Sequence, residues 1–190
     1  MEDKQQMAGR LDLFEETLEA GLYKICNRLD LKVEPMSSPD IDGKWEEFLK
    51  PYAADAIENV NDYPDAALGF AAYLGMAVAH CWDTDWKSHM HDKYSSFYGP
   101  RGYDDMDDHI VADILGLDIL QTRKRAEILK SCTASTMGLL RHEEIDLRTE
   151  FGFYALVRCF GAFFRLGVSI QLCSTGYRKE FILPSQNCLS

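Results

Sequence analysis

The sequence predicts an all-α fold, and three observations carry that expectation. Apolar residues recur every three or four positions along several segments, no stretch alternates with period two over a useful length, and Pro/Gly-rich clusters separate the periodic segments. A chain of 190 residues, 46% hydrophobic and 12% aromatic, can bury a substantial core and most simply forms one domain over 1–190. The expected arrangement is five to seven helices, orthogonal or bundle-like, around two central apolar helices at about 65–85 and 149–174.

The first helix is the clearest. Leu11, Phe14, Leu18, Leu22, Ile25 and Leu29 fall on one side at helical spacing, which leaves Glu15, Glu16, Glu19 and Lys24 facing mostly outward. The loop composition of "EPMSSPDIDG" then gives way to Trp45, Phe48, Leu49, Tyr52, Ala56, Ile57 and Val60, a second helical stripe that Pro51 is expected to break or kink. In "NDYPDAAL", Pro64 suits a first helical turn and Asp65 its positive end, so a third helix starts there. Within it Ala67, Ala71, Gly75 and Ala79 stand four apart, a seam that lets a neighbouring backbone approach closely.

The turn "YGPRGYDD" stops the helical path near Gly99 and restarts it near Asp104. Met106, Ile110 and Ile114 predict a short helix ending at Gly116, and Leu120, Ala126 or Ile128, Leu129, Cys132, Leu139 and Leu140 a longer one. Its middle, "SCTASTMG", has poor helix propensity. A last helix, apolar on most sides, should pack centrally beside the third, and residues 183–190 read as a flexible or extended tail.

A formal charge of −11 gives no electrostatic reason to bind phosphate backbones, so nucleic acid is not an expected partner. Six scattered cysteines without a C-x-x-C pair, and a first 30 residues without an apolar signal-like core, point to reduced thiols in the cytoplasm. The long apolar runs are either Gly/Ala-rich and short or carry Arg158 and Arg165 inside, so both read as protein-buried helices and no membrane association is expected.

The densest chemistry lies in "HCWDTDWKSHMHDKY", residues 80–94. If the third helix runs on past Asp85, a 100° step per residue sets Asp85, His89 and Asp92 on one side, next to the seam with Trp82 and Trp86, with His80 and His91 nearly opposite. After the turn, Asp105, His109 and Asp113 form a second row of spacing four. Converging across the turn, Asp85, His89, Asp92, Asp105 and His109 would supply ligands for zinc, manganese or iron and leave room for an activated water. The plainer reading of "DDMDDH" is a solvated acidic helix start.

The pair His91-Asp92 resembles the dyad of the helical HD-type metal phosphohydrolases, over those two residues only. The resemblance implies an upstream His and a downstream Asp, for which His80 and Asp113 are available. The polar setting "KSHMHDKY" and Lys93 depart from the family's pattern. No Glu-x-x-His pair, H-E-x-x-H motif, G-x-S-x-G elbow or phosphate-binding glycine loop occurs.

Arg158, Ala162, Arg165 and Ser169 form one stripe on the last helix, and guanidinium groups there need anionic partners. Asp83, Asp85 or a carboxylate from 104–108 are the internal candidates, and an anionic ligand is the external one. The aromatics Trp82, Trp86, Tyr94, Phe97, Tyr98 and Tyr103 read mainly as core or interface, with Trp82 and Trp86 as candidate ligand contacts. These features rank three functions: a binding or scaffolding protein with residues 82–113 as its surface and a protein partner or a second copy bound there, a metal-dependent hydrolase using 85–113, and a sensor of small anions using Arg158 and Arg165.

Overall fold

Small residues set the centre of the fold. The structure is a computed structural model describing residues 4–178, and within these all regular structure is helical. The helices are α1 (Lys4–Arg28), α2 (Pro39–Ile57), α3 (Pro64–His89), the short α4 (Met106–His109), α5 (Ile119–His142) and α6 (Glu150–Ser174). The expected tail at 183–190 lies outside the described residues.

The widest contact is between α3 and α6, and it is made by glycines on both sides. A Cβ on Gly75 would lie 2.1 Å from the Phe164 carbonyl oxygen, and one on Gly167 would lie 1.9 Å from that of Ala72. The two backbones therefore touch, running antiparallel, and α3 is buried continuously from Ala67 to Ala79. α6 is the one described helix long and apolar enough to cross a membrane, and 72% of its apolar window is buried within the protein.

α1 packs along α6 in the opposite sense. Asp12 meets Arg158, Glu19 meets Arg165 and Tyr23 meets Ser169, each pair 146 residues apart in sequence, a constant offset that makes the two helices parallel. Its apolar stripe is buried as the periodicity predicts, from Leu11 to Ile25. α2 closes the other side: Trp45 stacks on Phe164 at 4.6 Å, and Tyr52, wholly buried, meets Phe160 edge-on and donates to the Ala67 carbonyl at 2.7 Å. Pro51 does not end α2, which continues to Ile57 with the ring exposed.

α5 covers α3 and α1. It is one uninterrupted helix through "SCTASTMG", because Cys132, Thr133 and Thr136 are buried there and tertiary packing overrides weak propensity. A capping box fixes its start: the Asp118 carboxylate accepts from the Gln121 amide, and the Gln121 side chain accepts from the Asp118 amide. The side chains of Cys26 on α1 and Cys132 on α5 are both fully buried.

Candidate functional site

The expected Asp/His row on α3 depends on an unbroken helix, and the helix bends at Asp85 (φ −156°, ψ 72°). The Asp85 carboxylate accepts from the Ser88 hydroxyl at 2.6 Å and the Ser88 amide at 3.4 Å, capping the final turn Trp86–His89 as a helix N-cap does. These two bonds hold its carboxyl below the usual range. Past the bend, His89 Nδ1 pairs with Asp92 at 2.7 Å, and Asp92 already lies beyond the helix end. His91, in the HD-like pair, lies in the exposed turn that follows, not on an apolar helix.

The second row also divides. Asp105 is buried, and its carboxylate turns back to take the Arg101 amide at 3.0 and 3.1 Å and the Arg101 Nε at 3.3 Å. It plugs the tight turn closed by reciprocal Gly99–Gly102 bonds, where Gly102 has φ +81° and a Cβ on Gly99 would lie 2.5 Å from the Asp105 carboxylate. His109 Nδ1 pairs with Asp113 at 2.8 Å, just where the helix widens into a π-turn over Ile110–Ile114. Among the described residues no three His, Cys, Asp or Glu side chains come together to hold a metal ion. The expected convergence of Asp85, His89 and Asp92 on Asp105 and His109 is therefore replaced by separate local pairs.

Arg158 and Arg165 do face acids, but not the ones expected. Glu15 accepts from both guanidinium groups, Asp12 adds a bond to Arg158 at 3.0 Å, and Glu19 adds one to Arg165 at 2.6 Å. Asp83 instead accepts from Tyr177 at 2.7 Å, and Asp85 caps its own helix. The first-helix carboxylates that periodicity assigns outward sit on the flank where parallel α6 lays its arginine stripe, which is why they reach the guanidinium groups first. Burial alone would lower the Arg165 pKa, but Glu19 and Glu15 more than offset it and hold it above the ordinary value.

The aromatics of this region mostly serve the core. Tyr94 and Phe97 are buried against Phe48, and Tyr103 lies between Tyr52 and Phe70. Asp55 on α2 accepts from the hydroxyls of Tyr94 (3.1 Å) and Tyr98 (2.6 Å), and burial together with that carboxylate pushes the Tyr98 pKa up to about 12. Trp82 packs on Tyr177, with ring centroids 5.9 Å apart, and Trp86 is half-buried at the bend. Neither tryptophan lines the cleft described next.

That cleft, of about 440 Å³, opens between the start of α3, the 104–108 segment that leads into and begins α4, and α5. Its apolar floor is Ala66, Gly69, Phe70, Tyr73, Ala126 and Leu129, and its rim is Asp65, Asp104, Asp107 and Asp108, with Lys130 the single basic side chain lining it. Asp107 is half-buried. Burial, reinforced by the charges of Asp108 and Asp105, raises its carboxyl above the usual range. Burial, with the charge of Asp107, likewise pushes the Tyr73 phenol up to about 12. Arg125 stands near Tyr73, with burial lowering its pKa and Nη1 buried without a hydrogen-bond partner.

Sequence reasoning treated the rim aspartates as a solvated helix start and missed the floor. A signal was present: Phe70 and Tyr73 project from α3 on the flank away from the Ala67–Gly75 seam, and although each is only 8% exposed they show that this flank too is covered by other segments. Compared with protein families, with curated proteins and with solved structures, the chain shows no significant match to any.

Proposed function

We propose that the chain is a protein-interaction domain that binds basic, apolar-anchored segments of a partner in the cleft between α3, the 104–108 segment and α5. The reading is supported above all by the unbalanced chemistry of that cleft. A half-buried carboxylate, Asp107, stands among other carboxylates over an apolar floor, and the protein itself opposes its charge. A partner that brings a Lys or Arg to the rim relieves that cost, and an aliphatic or aromatic anchor beside it fills the floor. Arg158 and Arg165 are already matched by acids of α1, so the anion-sensor reading loses the free guanidinium groups it was built on. Free thiols, most of them buried, suit a reducing compartment such as the cytoplasm.

A divalent-metal hydrolase is the second reading, resting on one observation. His89 and His109 each present Nδ1 to a carboxylate, the arrangement that orients a metal-binding imidazole. Element analysis after supplementation with zinc, manganese and iron tests it, and a stoichiometric metal would favour it over the binding domain.

For the leading reading the probe is a labelled peptide alternating Leu with Lys. Binding should weaken at least about fivefold in the Asp107→Asn/Asp108→Asn variant, and should fall with added salt. It should be unchanged in Asp40→Asn/Asp42→Asn, which alters exposed acids at the start of α2. Equal binding by wild type and the cleft variant overturns the assignment.

A further inference from the structure

Two neighbouring features of α5 are unexplained by the fold. Ile119 and Leu120, in its first turn, are the most exposed large apolar side chains among the described residues, at 75% and 77%. A folded surface tolerates single apolar side chains, but an adjacent pair this exposed marks a contact surface. One helical turn further on stand Arg123 and Lys124, exposed and in no ion pair among the described residues, although Asp30 and Glu127 line the same shallow groove; Lys124 reaches the Asp30 backbone carbonyl at 3.2 Å. In a chain of net charge −11, this turn is an apolar knob with a basic shoulder.

We propose that this knob of one copy docks in the acidic cleft of a second copy, so that the chain self-associates head to tail. The inference rests on the cleft reading above and names its partner as the protein itself. The chemistry matches group for group: aliphatic side chains for the floor of Phe70, Tyr73 and Leu129, and Arg123 with Lys124 for Asp104, Asp107 and Asp108 on the rim. Knob and cleft are different surfaces of the same chain, so each copy keeps one free end of each kind. The contact is heterologous and extends unless the rotation closes a ring.

That asymmetry supplies the test. In sedimentation velocity, wild type should gain mass with concentration and lose it with added salt. Ile119→Ser/Leu120→Ser and Asp107→Asn/Asp108→Asn should each raise the dissociation constant by at least about tenfold, both keeping the helical circular dichroism of wild type. Mixed one to one, the two variants should restore a dimer that grows no further, because one contributes the intact cleft and the other the intact knob. Association of either variant as strong as wild type, or folded variants that stay monomeric when mixed, overturns the proposal. A wild type that stays monomeric at millimolar concentration while its cleft still binds the Leu/Lys peptide rejects self-association and leaves the binding-domain reading standing. A monomer that binds no peptide rejects both.

Discussion

Replacing Gly75 with Ala tests the contact on which the fold depends. The added methyl would sit 2.1 Å from the Phe164 carbonyl oxygen, 2.9 Å from its carbon and 3.1 Å from the Val168 amide nitrogen. All three are backbone atoms, so no rotamer change relieves the clash and α6 must move away by about an ångström, against a contact optimum of about 3.5–4 Å between carbon atoms. Overpacking of this kind costs about 1–3 kcal/mol or more, against about 1 kcal/mol gained by Ala over Gly within a helix. With the clash between rigid backbone atoms placing the cost at the upper end, a net loss of about 1–2 kcal/mol follows, or about 2–8 °C in Tm for a chain of this size. Gly138→Ala is the control, since nothing lies within 4 Å of its added Cβ and it should gain about 0.5–1 kcal/mol. Urea unfolding followed by circular dichroism measures both. A Gly75→Ala protein as stable as the Gly138→Ala protein would refute backbone contact between α3 and α6.

Three further outcomes follow from the same structure. Glu15→Gln removes the carboxylate shared by Arg158 and Arg165; each arginine keeps its second acid, so the loss in urea unfolding should be about 1–2 kcal/mol, and a change near zero would remove the network from the stability account. Asp107→Asn should raise Tm at neutral pH. A carboxyl whose folded-state pKa is raised holds its proton more tightly folded than unfolded, so its contribution falls as pH rises from the unfolded carboxyl range through the folded value, and the variant's advantage should vanish in acid where both forms are neutral; no gain at neutral pH counts against a strained rim. In a Cys188→Ser background, a thiol reagent should modify native Cys173, the half-exposed cysteine, well before the others. Burial pushes Cys81 up to about 11 and raises Cys159 further; rapid modification of Cys81 would contradict its burial.

Helix periodicity carried the architecture because α1, α2 and α5 each bury an apolar stripe while α3 and α6 bury long apolar runs, and both patterns are local in sequence. Of the seam Ala67, Ala71, Gly75 and Ala79, Gly75 makes the close backbone approach to α6 that small side chains permit, while the second close approach falls at Ala72, one position off the seam. Side-chain destinations were less legible. The row Asp85, His89, Asp92 assumed an ideal helix, while the local motif Asp85-x-x-Ser88 caps a new turn and bends the chain away. Glu15 and Glu19 read as solvent-facing from their own helix alone. Only the parallel register of α1 on α6, a relation between segments 146 residues apart, turns them toward Arg158 and Arg165. The cleft has the same character: its floor comes from α3 and α5, and its rim chiefly from the intervening 104–108 segment, so no single stretch displays it.

The central claim is that the cleft over Phe70, Tyr73 and Leu129 is where a basic partner segment binds. Amide chemical-shift mapping with the Leu/Lys peptide tests it most directly. The account predicts shifts concentrated at 65–73, 103–109 and 126–130, and absent around the apolar groove lined by Leu13, Leu139 and Phe151. Shifts centred on that groove, or none at saturating peptide, would contradict it.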